Sequence, residues 1–432
     1  MENLKEIEGM NEFDLHMPSE ALPIQVKQNK SVIGKISLSN YPTGARSGFM
    51  KGGNTEFEIN VQNAQQMLLS SSAICCDVRV ERSGNVAPDL TKDIEFRGGQ
   101  TALKSLTISL DNKKLVDIQN HADKVASFVL ESSMTKDELD NSSSTTAYKT
   151  RVKYRKIFSM RIDLKHFGCD IGNLIPTGTI GSTLRINGTI NDAPITQLAQ
   201  LDEDNSLEPY ADSIVQYNNI RLESEFVELQ PMLLNKRLEK IKSSSGLTIP
   251  FHTFTVDTRN LNDVNTSFNE RIALGYNNIV SMYQIPYKKT KGLNYYSNLR
   301  WGATNFNDAV NYLVNFDGGQ YYNLNSNQGQ SGLASHAQAL INASRTEFTT
   351  AGAGSTLIGD INNNQILACN FVRSNNVLSP SITDSGVNAR LQSGIINTQC
   401  EFGGQFDDNT LVSIVKFTRR IVFKNGTMDV FS

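Results

Sequence analysis

Histidine and cysteine are the side chains best able to act as base, nucleophile or metal ligand near neutral pH. The chain carries His16, His121, His166, His252 and His336, and Cys75, Cys76, Cys169, Cys369 and Cys400. The histidines are scattered, and no HExxH, CxxC or EF-hand loop is present. Isolated imidazoles of this kind read as surface or helix-face residues, because a functional one needs a neighbour to set its ionisation. An odd number of cysteines in 432 residues, without CxxC, fits reduced buried thiols better than a disulfide framework. Cys75 and Cys76 are adjacent, and in a strand they point to opposite faces, which disfavours a bridge between them.

Other patterns carry as little chemistry. The glycine-rich run AGAGSTLIGD at 351–360 lacks the Lys-Ser/Thr that completes a phosphate loop and reads as a surface loop. GQSG at 329–332 has no glycine where a nucleophile elbow needs its second one. The acids Asp202, Glu203, Asp204, Asp407 and Asp408 are candidate cation ligands at an assembly contact, but solvated loops explain them more simply. The most basic stretch, RVKYRKIFSMR at 151–161, interleaves charge with Val152, Tyr154 and Ile157. Nucleic-acid binding is one reading of it; an amphipathic strand with snorkelling Lys and Arg stems is the simpler one. No catalytic, cofactor-binding or metal-ligating residue emerges, and the chain reads as a non-enzyme that needs no cofactor.

One constellation points to association instead. Leu4, Ile7, Met10 and Phe13 recur near helical spacing among Glu2, Glu6, Glu8, Glu12 and Asp14. A detached amphipathic segment has nothing of its own to pack on, so these four residues are candidates for docking on a partner subunit. The acidity of the segment argues against a basic arm that grips nucleic acid. A formal net charge of -3 gives no whole-chain attraction to nucleic acid or anionic membrane. The start MENLKEIEGMNEF lacks the basic and apolar blocks of a signal peptide, and no apolar run approaches a membrane span. Synthesis in a reducing, cytosol-like compartment is expected.

The elements that must position these residues are mostly strands. EFEINVQ at 56–62, AICCDVRVER at 73–82 and ALKSLTISL at 102–110 alternate with period two. Leu106, Ile108 and Leu110 make one apolar face of the last, and Asp111-Asn112 allows a tight reversal into 114–118. Asn187-Gly188 and Asn425-Gly426 carry the hairpin-turn signal between apolar runs. Helical spacing predicts short helices at 120–131, 231–242 and 333–343, the second opened by Pro231. Strands do not alternate regularly with helices, which disfavours a parallel α/β sheet. The linker KSSSGLT at 242–248 divides the chain into strand-rich halves with long polar insertions. The predicted organisation is all-β: an N-terminal arm at 1–45, a first sandwich at 46–242 and a second at 243–432.

The order of these segments resembles a known family. GGQTALKSLTISLDNKKLVDIQNHADKVASFVLESSMT, FSMRIDLKHFGCDIGNLIPTGTIGSTLRI and YNNIRLESEFVELQPMLLNKRLEKI are similar to successive pieces of the first barrel of double jelly-roll major capsid proteins. NFDGGQYYNLNSNQGQSGLASHAQALINA, SGVNARLQSGIINTQCEF and VSIVKFTRRIVFKNGTMDVF resemble pieces of the second. The resemblance spans most of 50–430 and is nearest to capsid proteins of virophages and Polinton-like viruses, within the adenovirus and tectivirus lineage. It implies two consecutive jelly-roll β-sandwiches per chain and homotrimers of pseudo-hexagonal outline. It further implies upright barrels with loops outward and termini inward, neighbouring capsomers, penton and minor capsid proteins as partners, and a place in the virion capsid after synthesis in host cytoplasm or nucleus. Two alternatives remain open. A jelly-roll spike or carbohydrate-binding protein would use Tyr295, Tyr296, Trp301, Tyr321 and Tyr322, whose other role is packing. A single jelly-roll capsid protein with a projecting domain usually has a basic arm, which this chain lacks.

Overall fold

Runs that alternate apolar and polar residues must bury one face, and here they do so by closing into two sandwiches. The computed structural model describes residues 32–43, 49–51, 56–61, 66–82, 93–96, 102–133, 150–168, 174–176, 183–191, 198–201, 207–208, 213–261, 267–275, 278–288, 309–316, 319–325, 367–371, 395–402 and 409–431. All strand pairs among them are antiparallel.

The first sandwich has a six-stranded sheet in which β1 (Val32–Asn40), β14 (Ser213–Leu229), β4 (Gln66–Arg82) and β10 (Leu174–Ile175) follow in order. In the same sheet β2 (Met50–Lys51) pairs with β14 and β9 (Ile157–Asp163) with β4. Strand pairing thus begins at Val32, inside the stretch assigned above to an arm. The opposing sheet runs β3 (Glu56–Val61), β11 (Leu184–Ile190), β6 (Leu103–Leu110), β7 (Lys113–Ile118). Ile74, Cys76, Val78 and Val80 of β4 meet Ile59, Ile108 and Ile186 in one core. A smaller sheet joins β13 (Leu207–Glu208), β12 (Leu198–Leu201), β5 (Asp93–Phe96) and β8 (Thr150–Lys153).

The second sandwich pairs β15 (Leu247–Leu261), β22 (Asn409–Lys424), β17 (Ile279–Lys288) and β20 (Leu367–Asn370), with β23 (Thr427–Phe431) on β22. Facing it are β16 (Ser267–Ala273), β21 (Ile395–Phe402), β18 (Ala309–Phe316) and β19 (Gly319–Asn325). Strands β17 and β22 are covered on both faces. Met282, Leu411 and Val415 join the second core, while Tyr283, Ile285, Val412 and Ile414 join the first. A strand buried on both sides needs a near-continuous apolar run, which is why LVSIVKF in β22 does not alternate.

Two of the expected helices form. Helix α1 (Ala122–Ser133) buries Val125, Phe128 and Val129 on the face their spacing predicts. Helix α2 (Pro231–Lys242) begins with proline at its first turn and buries Ile241. The third, at 333–343, lies outside the described residues.

The two hairpin signals have opposite outcomes. Asn425 and Gly426 take φ 52° and 74° and turn β22 into β23, as an Asn-Gly hairpin should. Asp111 and Asn112, at φ 47° and 63°, do the same between β6 and β7. Asn187-Gly188, however, is no turn: it lies in the middle of β11, paired to β3 on one side and β6 on the other. The reason is packing. A Cβ on Gly188 would sit 2.5 Å from the Phe57 ring, so glycine here makes room for an aromatic neighbour and not for positive φ.

Candidate functional site

The described residues hold their reactive groups out of reach. Burial pushes the Cys75 thiol up to about 12, aided by Glu223, and pushes Cys76, Cys369 and Cys400 up as well. All four are free and buried, so they stay protonated and unreactive at neutral pH. Burial likewise lowers His121, His252 and His166, the last to about 4, so these rings are neutral packing groups. Among the described residues no group of three or more His, Cys, Asp or Glu is placed to hold a metal ion. His16, His336, Cys169, the acid clusters and both glycine-rich loops lie outside the described residues.

Two arginines of the basic stretch, Arg155 and Arg161, are held in ion pairs. Arg161 on β9 meets Asp163 at 2.8 Å and Glu223 at 3.4 Å, and Arg155 meets Glu81 at 3.2 Å. Arg79 on β4 meets Glu81 at 3.3 Å and stacks over Phe49 at 4.3 Å, and Arg221 on β14 meets Glu223 at 2.9 Å. The outer face of the six-stranded sheet is therefore a ladder of alternating charge, not a positive track. One detail departs from the alternation expected there: Tyr154 is buried, but Ile157 is 60% exposed.

The strongest constellation is the seam between the sandwiches. The Phe128 ring of α1 packs on Tyr283 of β17 with centroids 4.4 Å apart, and both side chains are fully buried. Gly168 takes φ +81° beside Thr253 and Phe254 of β15; a Cβ there would lie 2.8 Å from the Phe254 ring. The Arg419 guanidinium of β22 donates to the carbonyl oxygens of Lys114 and Leu115 at 2.7 and 3.0 Å. Lys113 and Asp429 close the edge with an ion pair of 3.1 Å. These contacts make one continuous core of residues from both halves. Their chemistry is adhesive: apolar burial with charged clamps at the rim.

A second buried cluster crosses the second sandwich. Glu270 of β16, 4% exposed, accepts from Ser413 of β22 at 2.7 Å and from the Gln284 amide of β17. Gln284 also donates to Thr398 of β21 at 3.0 Å and accepts from the Tyr312 hydroxyl of β18 at 2.9 Å. Five strands from two sheets are thus tied by one network. Burial, with Asp257 as a further contributor, raises the Glu270 carboxyl to about 6 despite the bonds from Ser413 and Gln284. Glu270 Oε1 has no hydrogen-bond partner among the described residues. Nothing in the sequence flagged these residues, because they are brought together only by sheet packing.

A polar cleft of about 510 Å³ lies at one end of the first sandwich between Asn40, Asn60, Asp111, Asn112, Thr183 and Arg185. None of these residues is aromatic, so among the described residues its lining offers no stacking platform for a sugar. Tyr295, Tyr296 and Trp301 lie outside the described residues, and of Tyr321 and Tyr322 only the backbone, in β19, is described. Ile36 and Leu38 are exposed on β1, the outer strand of its sheet. Leu4, Ile7, Met10 and Phe13 lie outside the described residues.

No protein-family model matches the chain, and no curated protein matches its sequence. Solved structures do match its fold. The major capsid protein of Faustovirus aligns over 97% of this chain and 96% of its own, with a TM-score of 0.59 and 9% identity. A chain of the PBCV-1 virus capsid covers 92% and 96%, with a TM-score of 0.55 and 10% identity. A chain of the Sputnik virophage covers 93% and 89%, with a TM-score of 0.54 and 11% identity. Two packed jelly-roll sandwiches, matched end to end at this level, give the chain the double jelly-roll fold found in these viral particles.

Proposed function

We propose that the chain is a major capsid protein, a building block of an icosahedral virus shell that acts by repeated association. The observation that carries the reading is the full-length match of both sandwiches to the Faustovirus capsid protein, neither chain leaving a large part unmatched. In this reading the first barrel runs from β1 to α2, taking in Val32–Asn40 ahead of the expected start at 46, and residues 243–432 are the second, separated at the Ser243–Gly246 bend that follows α2. Three chains give six similar barrels and hence a pseudo-hexagonal capsomer. The rigid seam supports it, because a tile must keep the angle between its barrels while its neighbours pull on it. Exposed Ile36 and Leu38 on the outer strand β1 offer a strip for subunit contact.

Residues 1–31, with Leu4, Ile7, Met10 and Phe13, serve as a docking arm for a protein partner. Neighbouring capsomers, penton and minor capsid proteins are the further partners of this reading. The paired charges on the outer sheet speak against direct sequence-specific nucleic-acid binding, and no catalytic role is assigned. Light scattering on the size-fractionated protein tests the proposal: three chain masses are expected, with hexagonal outlines in negative stain. A stable monomer at micromolar concentration would overturn it.

A further inference from the structure

Strand β1 enters the first sandwich with Val32 directly opposite Leu229, and α2 begins two residues after Leu229. The described chain therefore enters the barrel at its α2 end, with 31 residues of sequence before Val32. Their first part is acidic, with Glu2, Glu6, Glu8, Glu12, Asp14 and Glu20 against Lys5 alone. Helix α2 presents the complementary charge: exposed Lys236 and Lys242 and half-buried Lys240 against exposed Glu239, while Arg237 is buried. Its outer face also carries Met232, 61% exposed. Beside it lies a cleft of about 350 Å³ lined by Lys236, Arg237, Glu239, Lys240, Ser243, Ser245 and Leu247, two lysines and an arginine against one acid.

We infer that residues 2–14 of one copy dock on the outer face of α2 in an adjacent copy. Their acids would face the α2 lysines, and Leu4, Ile7, Met10 and Phe13 would cover Met232 and the cleft. This rests on the reading of the arm as a docking segment. The start of β1 and helix α2 lie at the same end of the first barrel in each copy, so in a shell one copy deep they would lie at the same level. Seventeen residues lie between Asp14 and Val32, and at about 3.3 Å each they extend far enough to reach a neighbour. Opposite charge brings the segments together, and apolar burial holds them.

Carbodiimide cross-linking of the assembled full-length chain, prepared from mixed isotope-labelled and unlabelled copies, tests the inference. Links from Glu6, Glu8 or Glu12 to Lys236, Lys240 or Lys242 between differently labelled chains are the expected result. The exposed Lys113–Asp429 pair, at 3.1 Å, supplies an internal control. Met232→Glu, which leaves every lysine in place, should lower the arm links about tenfold without changing the control, as the loss of one buried methionine contact would. Arm links confined to single chains would overturn the exchange between copies. Arm links to lysines elsewhere would overturn the α2 seat but leave the docking reading intact. Control links without any from the arm would overturn both.

Discussion

The guanidinium of Arg419, on β22 of the second sandwich, reaches the carbonyl oxygens of Lys114 and Leu115 on β7 of the first. Strand β7 is the outer strand of its sheet, so its outward carbonyls have no further strand to bond. The arginine fills that place and fixes one barrel against the other. Hydrogen bonds to a charged donor contribute about 1.5–3 kcal/mol. Arg419→Ala should therefore lower stability by that amount, read from urea unfolding, and Arg419→Lys should fall between, because the ammonium keeps the charge but its shorter stem does not reach the place of Nη1, which serves both carbonyls. An unchanged midpoint in Arg419→Ala would show that the clamp is not stabilising.

Phe128 and Tyr283 make the apolar centre of the same seam. Truncating a buried phenylalanine costs about 3–5 kcal/mol through lost transfer energy and the cavity left behind. Phe128→Ala should lower the thermal midpoint far more than Phe128→Leu, which is expected to stay within about 1.5 kcal/mol if the seam repacks. Equal losses in both variants would mean that ring stacking, not volume, holds the joint.

Glu270 gives the second sandwich a pH dependence of defined sign. Its carboxyl is raised from the usual 4.5 to about 6, first by burial. The facing charges are Asp257, which raises it, and Arg259, which lowers it. The folded state then holds a proton that the unfolded state releases, so stability falls as pH rises from about 4.5 to 6 and stays lower above that window. The difference is on the order of 2 kcal/mol. Glu270→Gln cannot ionise; it should flatten this slope and stabilise the protein at pH 7, measured as denaturation midpoints across pH 4–7. A slope that persists in the variant would assign the dependence to other groups.

Two glycines differ in why they are glycine. At Gly188 the obstacle is the Phe57 ring, so Gly188→Ala should destabilise by about 1–3 kcal/mol. The second change Phe57→Leu should restore part of the loss. At Gly426 the Cβ meets nothing, but φ is +74°, so Gly426→Asn should be tolerated while a β-branched residue is not. Thermal melts of the four variants check both statements, and a failure of Phe57→Leu to help Gly188→Ala would refute the steric account.

The sequence alone determined the β class, α1, α2, the tight reversal at Asp111-Asn112 and the hairpin at Asn425-Gly426. Each of these depends on a local cause: side-chain alternation, proline at a helix start, or positive φ that Asn and Gly tolerate. It also showed where catalytic chemistry was thin. The tertiary structure decided what local pattern cannot. Asn187-Gly188 has the same two letters as the true hairpin, yet the neighbours β3 and β6 hold it extended while Phe57 fills the missing Cβ. The Glu270 network draws on residues more than a hundred positions apart, and Arg419 meets partners about three hundred positions away. Such contacts depend on which sheet faces which, and sheet order is set by the packing of whole apolar faces, which no short window of sequence contains.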